Sequence, residues 1–421
     1  MLIEFEKKYM DKYWKLRAAQ WNNYFENKNY NLNELETEIY NLVKLNLENI
    51  HSIDRKSQVA VSIIKKDLVD KNPLSSVLRN KIDNVENYCY NIPEFIKADK
   101  YKYKLALSEN MREDVIKLMN VRNYLSKQLG FNSYSELIFV TEEIDKNNII
   151  RSLNKFLDCN LSKAKKIIKK YGIKWETWFS DLNEISIINK QYDPVKLIKQ
   201  LMEMIGFDEI LEGLKIYFTE KGIAGYATQL SPIEVRIAVK PIESLYLLQT
   251  LFHELGHAVS YSLNREEGIF KILPPSQDEV MAVAMEFIAL KLLELDSEDK
   301  EKMNEIITLE YVRCAISSLF EFDLWDNLES AEELYTLHFS KLGLKINEPS
   351  IWAVDTFRSI DPVYIHNFPV GALLAEEMIN YLESLYSDNY KKWGDWLHDN
   401  IHKDGRGKPF SEKIKLFGNL I

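Results

Sequence analysis

One stretch, Leu251-Phe252-His253-Glu254-Leu255-Gly256-His257-Ala258, limits the structure open to this chain more than any other. Its two histidines are four residues apart. On an α-helix, positions i and i+4 lie on one face, one turn apart. His253 and His257 then aim two imidazoles at one point, with Glu254 beside the first. Leu245, Leu248, Phe252, Leu255 and Val259 recur at helical spacing, so the helix has an apolar face that must be packed. A Zn²⁺ held by the pair has an open position for water, and Glu254 can reach that water as general base. The chain has 7 His in 421 residues, and random placement gives on the order of 0.01 such motifs, so the match carries information.

Two histidines need a third ligand. Pro274-Pro275 stops the following segment, and Ser276-Gln277-Asp278-Glu279-Val280-Met281-Ala282-Val283-Ala284-Met285-Glu286 reads as an apolar helical run. Glu279 and Glu286 are seven apart and share a face. Ser276-x-x-Glu279 also fits a capping box. Spacing leaves open which glutamate is the ligand and which accepts a hydrogen bond from a ligand histidine.

Together, His253-Glu254-Leu255-Gly256-His257-Ala258, Glu279-Val280-Met281-Ala282 and Glu286 resemble the M3 zinc oligopeptidases, the thimet oligopeptidase and oligoendopeptidase F group of gluzincins, related to the M2 and M32 metallopeptidases. The likeness is strongest over about residues 220–290. It implies a mainly α, elongated, two-lobed molecule with a deep substrate channel. An N-terminal helical lobe (1–210) would close over a catalytic lobe (211–421). It further implies one Zn²⁺ per chain on His253, His257 and Glu279, with Glu286 behind a ligand histidine, and short unstructured peptides as substrates.

Composition agrees with long helices. Gly (14) and Pro (11) are scarce, while Leu, Ile, Lys, Glu and Asn abound. The formal charge is −10, with 11 acidic against 4 basic residues from Pro241 to Lys300. No basic domain or basic–aromatic pattern points to nucleic acid. The run Lys163, Lys165, Lys166, Lys169, Lys170 and Lys174 reads as a solvated helix face. Cys89, Cys159 and Cys314 are scattered, which fits a reducing compartment and buried thiols rather than disulfides. With no hydrophobic leader and no apolar run of membrane-spanning length, the expectation is a cytoplasmic protein, monomeric or homodimeric, without a membrane partner.

Residues 1–30, 34–70, 75–100 and 109–130 read as helices, with breaks at Asn72-Pro73 and Ile92-Pro93 and a glycine cap at Gly130. One region reads as sheet. Lys215–Phe218 and Ile233–Val239 favour strands, Gly222, Gly225 and Tyr226 mark a turn between them, and Pro241 is expected to start the motif helix. A strand here, carrying Arg236, can offer its edge to an extended peptide. Toward the C-terminus, Asp361-Pro362-Val363-Tyr364-Ile365-His366-Asn367-Phe368 holds the groups expected to meet the developing oxyanion, His366 and Tyr364. The tyrosines that the family places after that histidine are absent, so Tyr226 or Tyr261 is the alternative donor. Arg406, in a Gly-rich loop, reads as a surface arginine near a turn or as an anchor for a substrate carboxylate. The reaction expected is peptide-bond hydrolysis. A dipeptidyl or carboxypeptidase of the M2/M32 type, a dedicated precursor-processing peptidase, and a non-catalytic peptide-binding scaffold with structural zinc are the other readings.

Overall fold

A computed structural model describes residues 2–50, 54–83, 99–221, 224–354 and 358–418. The molecule is mainly helical, with one small sheet of three strands. Long helices run over Leu2–Phe25, Lys100–Gln128, Lys146–Tyr171 and Ser297–Asp326. Their ends are set by local chemistry. Asp99, Asp145, Asp193 and Asp296 each accept from backbone N–H groups of the first turn they cap. Gly172 and Gly206 end theirs in the left-handed conformation. The expected helix at 34–70 is two, Leu32–Asn46 and Arg55–Asp70, because Asp54 and Ser57 form a reciprocal cap that restarts the chain. The break at Ile92-Pro93, Cys89 and Gly222 lie outside the described residues. The lysine run lies on the helix Lys146–Tyr171 and just beyond it, with Lys163, Lys165, Lys166 and Lys169 exposed. Among the described residues no helix is long and apolar enough to cross a membrane.

The largest apolar cluster joins both sides of the 210/211 division. It takes in Leu118, Phe156 and Leu201 from one side and Leu248, Phe252, Phe320 and Trp393 from the other. A second cluster packs Phe5, Tyr9 and Leu16 of the N-terminal helix (Leu2–Phe25) on Ile39, Val43, Ile64 and Ile269. Trp21 of the same helix is seated on the sheet, against Leu230 and Ala238.

The sheet order is β1-β3-β2, with β1 Lys215–Phe218, β2 Gly225–Ser231 and β3 Glu234–Val239. This corrects the expectation at two points. Gly225 and Tyr226 are in a strand rather than a turn. In addition, β3, which carries Arg236, is the central strand, parallel to β1 and antiparallel to β2, so the strand with an unpaired edge beside the motif helix is β2. The motif helix spans Leu245–Leu263 and starts four residues beyond Pro241. Ser244 caps it by accepting from Leu247 N–H, and a bridge between Ser244 and Ile187 keeps the chain extended up to that point. The next helix, Pro275–Leu292, has Pro274 as its cap residue. Ser276 forms no capping box; its hydroxyl donates to the carbonyl of Glu142 at 3.2 Å.

Close helix packing holds the motif helix. A Cβ at Gly256 would lie 2.6 Å from Ala282 Cα and 2.9 Å from the Met281 carbonyl oxygen. Only glycine between the two histidines lets the helix Pro275–Leu292 come this near. The helix Asn367–Tyr386 packs on the other side of Pro275–Leu292, with Gly371 against Val280 and Val283.

Candidate active site

The motif helix and the helix Pro275–Leu292 bring His253, His257 and Glu279 together. One ligand atom from each falls within 4.8 Å of the others. Nε2 of His253 is 3.2 Å from Glu279 Oε2, and Nε2 of His257 is 3.3 Å from Glu279 Oε1. The outer ring nitrogens are occupied. Nδ1 of His253 is 2.7 Å from Glu286 Oε1, and Nδ1 of His257 is 2.9 Å from Asp278 Oδ1. An ionised carboxylate only accepts, so both Nδ1 atoms carry protons, and each Nε2 faces Glu279 either through a second proton or across a bound cation. Both Nε2 atoms and Glu279 thus converge on one point that requires positive charge, supplied by two protons in the metal-free fold or by one cation in their place.

The electrostatics carry the same demand. Burial alone would depress His253, but the Glu279 and Glu286 carboxylates outweigh it and push it up to about 10. Burial also opposes protonation of His257, and Asp278 and Glu279 raise it well above the usual imidazole value. Burial works to raise Glu279; the two imidazoles reverse this and hold it well below the ordinary carboxylate range. In addition, Glu279 Oε2 is buried without a hydrogen bond. Once a metal displaces the two Nε2 protons, two neutral imidazoles and a carboxylate, with second carboxylates holding Nδ1–H, form a donor set that suits Zn²⁺.

Glu254 lies next to this point. Burial raises its carboxyl, partly offset by the two histidines and by the nearby backbone amide of Ala227. The edge strand β2 therefore reaches the base directly. Gly225 permits this approach, since a Cβ there would fall 2.4 Å from Thr250 Cγ2 and 2.8 Å from Glu254 Oε1. A cleft of about 330 Å³ opens here, lined by Gly225, Thr250, His253, Glu254, Tyr311, Arg313, Cys314 and Phe368.

Sequence reasoning missed several members of the site. Asp278 also accepts from Tyr261 Oη at 2.6 Å, so Tyr261, one turn past His257, orients Asp278 and does not point its hydroxyl at the cleft. Glu286 accepts from both Tyr311 Oη (2.7 Å) and Gln249 Nε2 (2.8 Å) besides His253. Tyr261 and Gln249 stand four residues either side of the histidine pair, so the i, i+4 stripe was the available signal. Tyr311 comes from the distant helix Ser297–Asp326, and no local pattern marks it.

The expected C-terminal groups divide. Tyr364 reaches the site and donates to Glu279 Oε1. Burial, then the charge of Glu279, raises its phenol well above the usual value, so it stays a donor. His366 does not reach the site. It is wholly buried between Phe139 and Phe322, with ring centroids 5.6 and 5.8 Å away, and neither ring nitrogen has a hydrogen-bond partner among the described residues. Burial pushes it down to about 3, so it is a neutral core residue. Arg236 is held by Glu26 (2.7 Å) and Glu234 (2.9 Å) over the Trp21 ring, not by a free strand edge. Tyr226 packs among Trp21, Tyr24 and Phe25. Arg406 is neither a surface residue nor an anchor. It is 2% exposed and bound to Glu143 and the Thr141 carbonyl, where it ties the C-terminal loop to the helix Tyr134–Glu142. Cys159 is exposed, whereas Cys314 is buried and lines the cleft.

No protein-family model matches the sequence, and no curated protein matches it. Solved structures do match its fold. A PZ peptidase A with an inhibitor superposes with a TM-score of 0.70 at 14% identity, over 97% of this chain and 86% of that one. The M32 carboxypeptidase of Deinococcus radiodurans R1 gives 0.68 at 12% identity, over 99% and 95%. The metallocarboxypeptidase 1 of Trypanosoma cruzi gives 0.68 at 16% identity, over 99% and 96%. The fold is that of oligopeptidase and M32-type metallopeptidase structures.

Proposed function

We propose that this chain is a zinc metallopeptidase of the M3/M32 kind that hydrolyses short, unstructured peptides. The observation that carries the reading is the His253/His257/Glu279 triangle with Glu254 beside it. A purely structural metal site has no use for a buried carboxylate at the position of Glu254. When bound there, Zn²⁺ supplies Lewis acidity to the scissile carbonyl and acidifies a water.

The chain's own groups do the rest. An extended peptide lies along the edge of β2, held by main-chain hydrogen bonds that ask little of its sequence. Glu254, its carboxyl raised by burial, removes a proton from the attacking water and returns it to the leaving amine nitrogen. Tyr364 Oη, kept protonated and donating to Glu279 in the absence of substrate, would turn to the carbonyl oxygen as it gains charge. Glu286 and Asp278 hold the two imidazoles in the tautomer that leaves Nε2 free.

A carboxypeptidase is the second reading, because M32 carboxypeptidase structures share this fold as fully as the PZ peptidase does. A digest of mixed short peptides, free and C-terminally amidated, analysed by mass spectrometry with wild type, Glu254→Gln and chelated protein, separates the two. Internal cuts in both forms make it an endopeptidase, and cuts only at free termini make it a carboxypeptidase. No cleavage by zinc-loaded wild type would overturn the proposal.

A further inference from the structure

A second cluster of polar groups lies on the His257 side of the metal centre. Beyond His257 the motif helix continues to Tyr261, and the N-terminal helix Leu2–Phe25 meets the sheet there. Arg17 comes from that helix. Its guanidinium lies over the Tyr226 ring, 5.8 Å from the centroid. Its electrostatic neighbours are Tyr226, Tyr13, Tyr261 and Asp278. Asp278, the acid among them, is already shared by His257 Nδ1 and Tyr261 Oη. Among the described residues Arg17 makes no ion pair or hydrogen bond, unlike the buried arginines Arg122, Arg358 and Arg406. Tyr13, Arg17, Tyr226 and Tyr261 each keep part of their surface open. Neither the Tyr13 nor the Tyr226 hydroxyl is bonded within the described residues. A guanidinium with no ion pair, over one tyrosine ring and near two more tyrosines, has its planar fork available to an anion.

We propose that Arg17, with the hydroxyls of Tyr13 and Tyr226, binds a carboxylate of the peptide substrate on the His257 side of the metal centre. This rests on the peptidase reading and adds a specificity to it: peptides presenting a carboxylate at that subsite, whether a free C-terminus or an Asp or Glu side chain. It reassigns the anchoring role that the sequence offered to Arg406. The N-terminal helix thereby becomes part of the substrate site as well as a cover for the sheet.

Binding decides it without turnover. Zinc-loaded Glu254→Gln protein, full length, is titrated calorimetrically with three versions of one octapeptide: free C-terminus with an internal Glu, C-terminal amide with the same Glu, and free C-terminus with that Glu changed to Gln. Arg17→Gln in this background is expected to weaken binding about 10- to 100-fold for peptides that present the recognised carboxylate, and to leave the version lacking it unchanged. Arg17→Lys, which keeps the charge but loses the fork, should fall between. The version that is indifferent to Arg17 identifies the source of the carboxylate. Because Arg17 is partly exposed and unpaired, thermal melts of the variants should match the parent. Equal affinity of all three peptides for parent and Arg17→Gln would overturn the inference. If zinc-loaded wild type still cleaves peptides, the peptidase reading survives that result. Failure of any peptide to bind or be cleaved would sink both.

Discussion

Two walls of the cleft present the same residue types and treat them in opposite ways. On the motif wall, His253 and His257 each find a carboxylate at Nδ1, and each of those carboxylates has further donors in Tyr311, Gln249 or Tyr261. On the facing wall, Tyr364 and His366 are two residues apart, yet only Tyr364 enters the site, while His366 disappears between two phenylalanines. A histidine is functional here through its partners. The partnered ones gain affinity for a cation, and the unpartnered one is only volume in a core.

Changing each wall in turn tests that contrast. The largest effect belongs to the ligands: His257→Ala or Glu279→Gln should reduce peptide cleavage to background, read by mass spectrometry at saturating zinc. Glu254→Gln should come next, with about 10²- to 10⁴-fold lower kcat at unchanged zinc content. Asp278→Asn and Glu286→Gln should weaken zinc binding about 10- to 100-fold in chelator competition, because they free the imidazoles to turn. Gly256→Ala should lower stability by about 1–3 kcal/mol in urea unfolding, since its Cβ meets the backbone of Met281 and Ala282. The facing wall should split, with the smallest functional effect of all at His366. His366→Met should leave kcat within about threefold, whereas Tyr364→Phe should cut it by about 10²-fold or more. Equal losses for these two would break the comparison.

The pH dependence follows from the same partners. His253 is raised in the metal-free fold, so its stabilising contribution is complete below the unfolded value near 6.5 and is lost as pH rises toward about 10. Metal-free protein should therefore lose melting temperature between about pH 6.5 and 10 relative to its zinc-loaded form. The zinc-induced rise in Tm should widen over that window. A constant gap would mean that the histidines are not held by those carboxylates.

How much of this was legible depended on whether one helix sets the geometry. His253, Glu254 and His257 follow from spacing alone, whereas spacing left Glu279 and Glu286 open and only the family resemblance chose Glu279. The mainly helical fold follows from scarce glycine and proline and from apolar periodicity. What escaped depends on direction through loops and between distant elements. Nothing local says that Val363, with φ of +59°, lies in a turn that sends Tyr364 and His366 opposite ways. Nothing local says that Arg406 meets Glu143, 263 residues away, or that β3 is central because β1 and β2 pair on either side. Gly225 looked like a turn residue because glycine usually marks one. Here its missing side chain makes room for Glu254.

The central claim, a single metal held by two imidazoles and Glu279 with Glu254 kept free as base, is tested most directly by metal content. Wild type, Glu254→Gln and Glu279→Gln are loaded with zinc, dialysed against a weak chelator and measured by mass spectrometry of the metal. One zinc per chain is expected for wild type and Glu254→Gln, and close to none for Glu279→Gln. Zinc retained by Glu279→Gln, or lost from Glu254→Gln, would contradict the account.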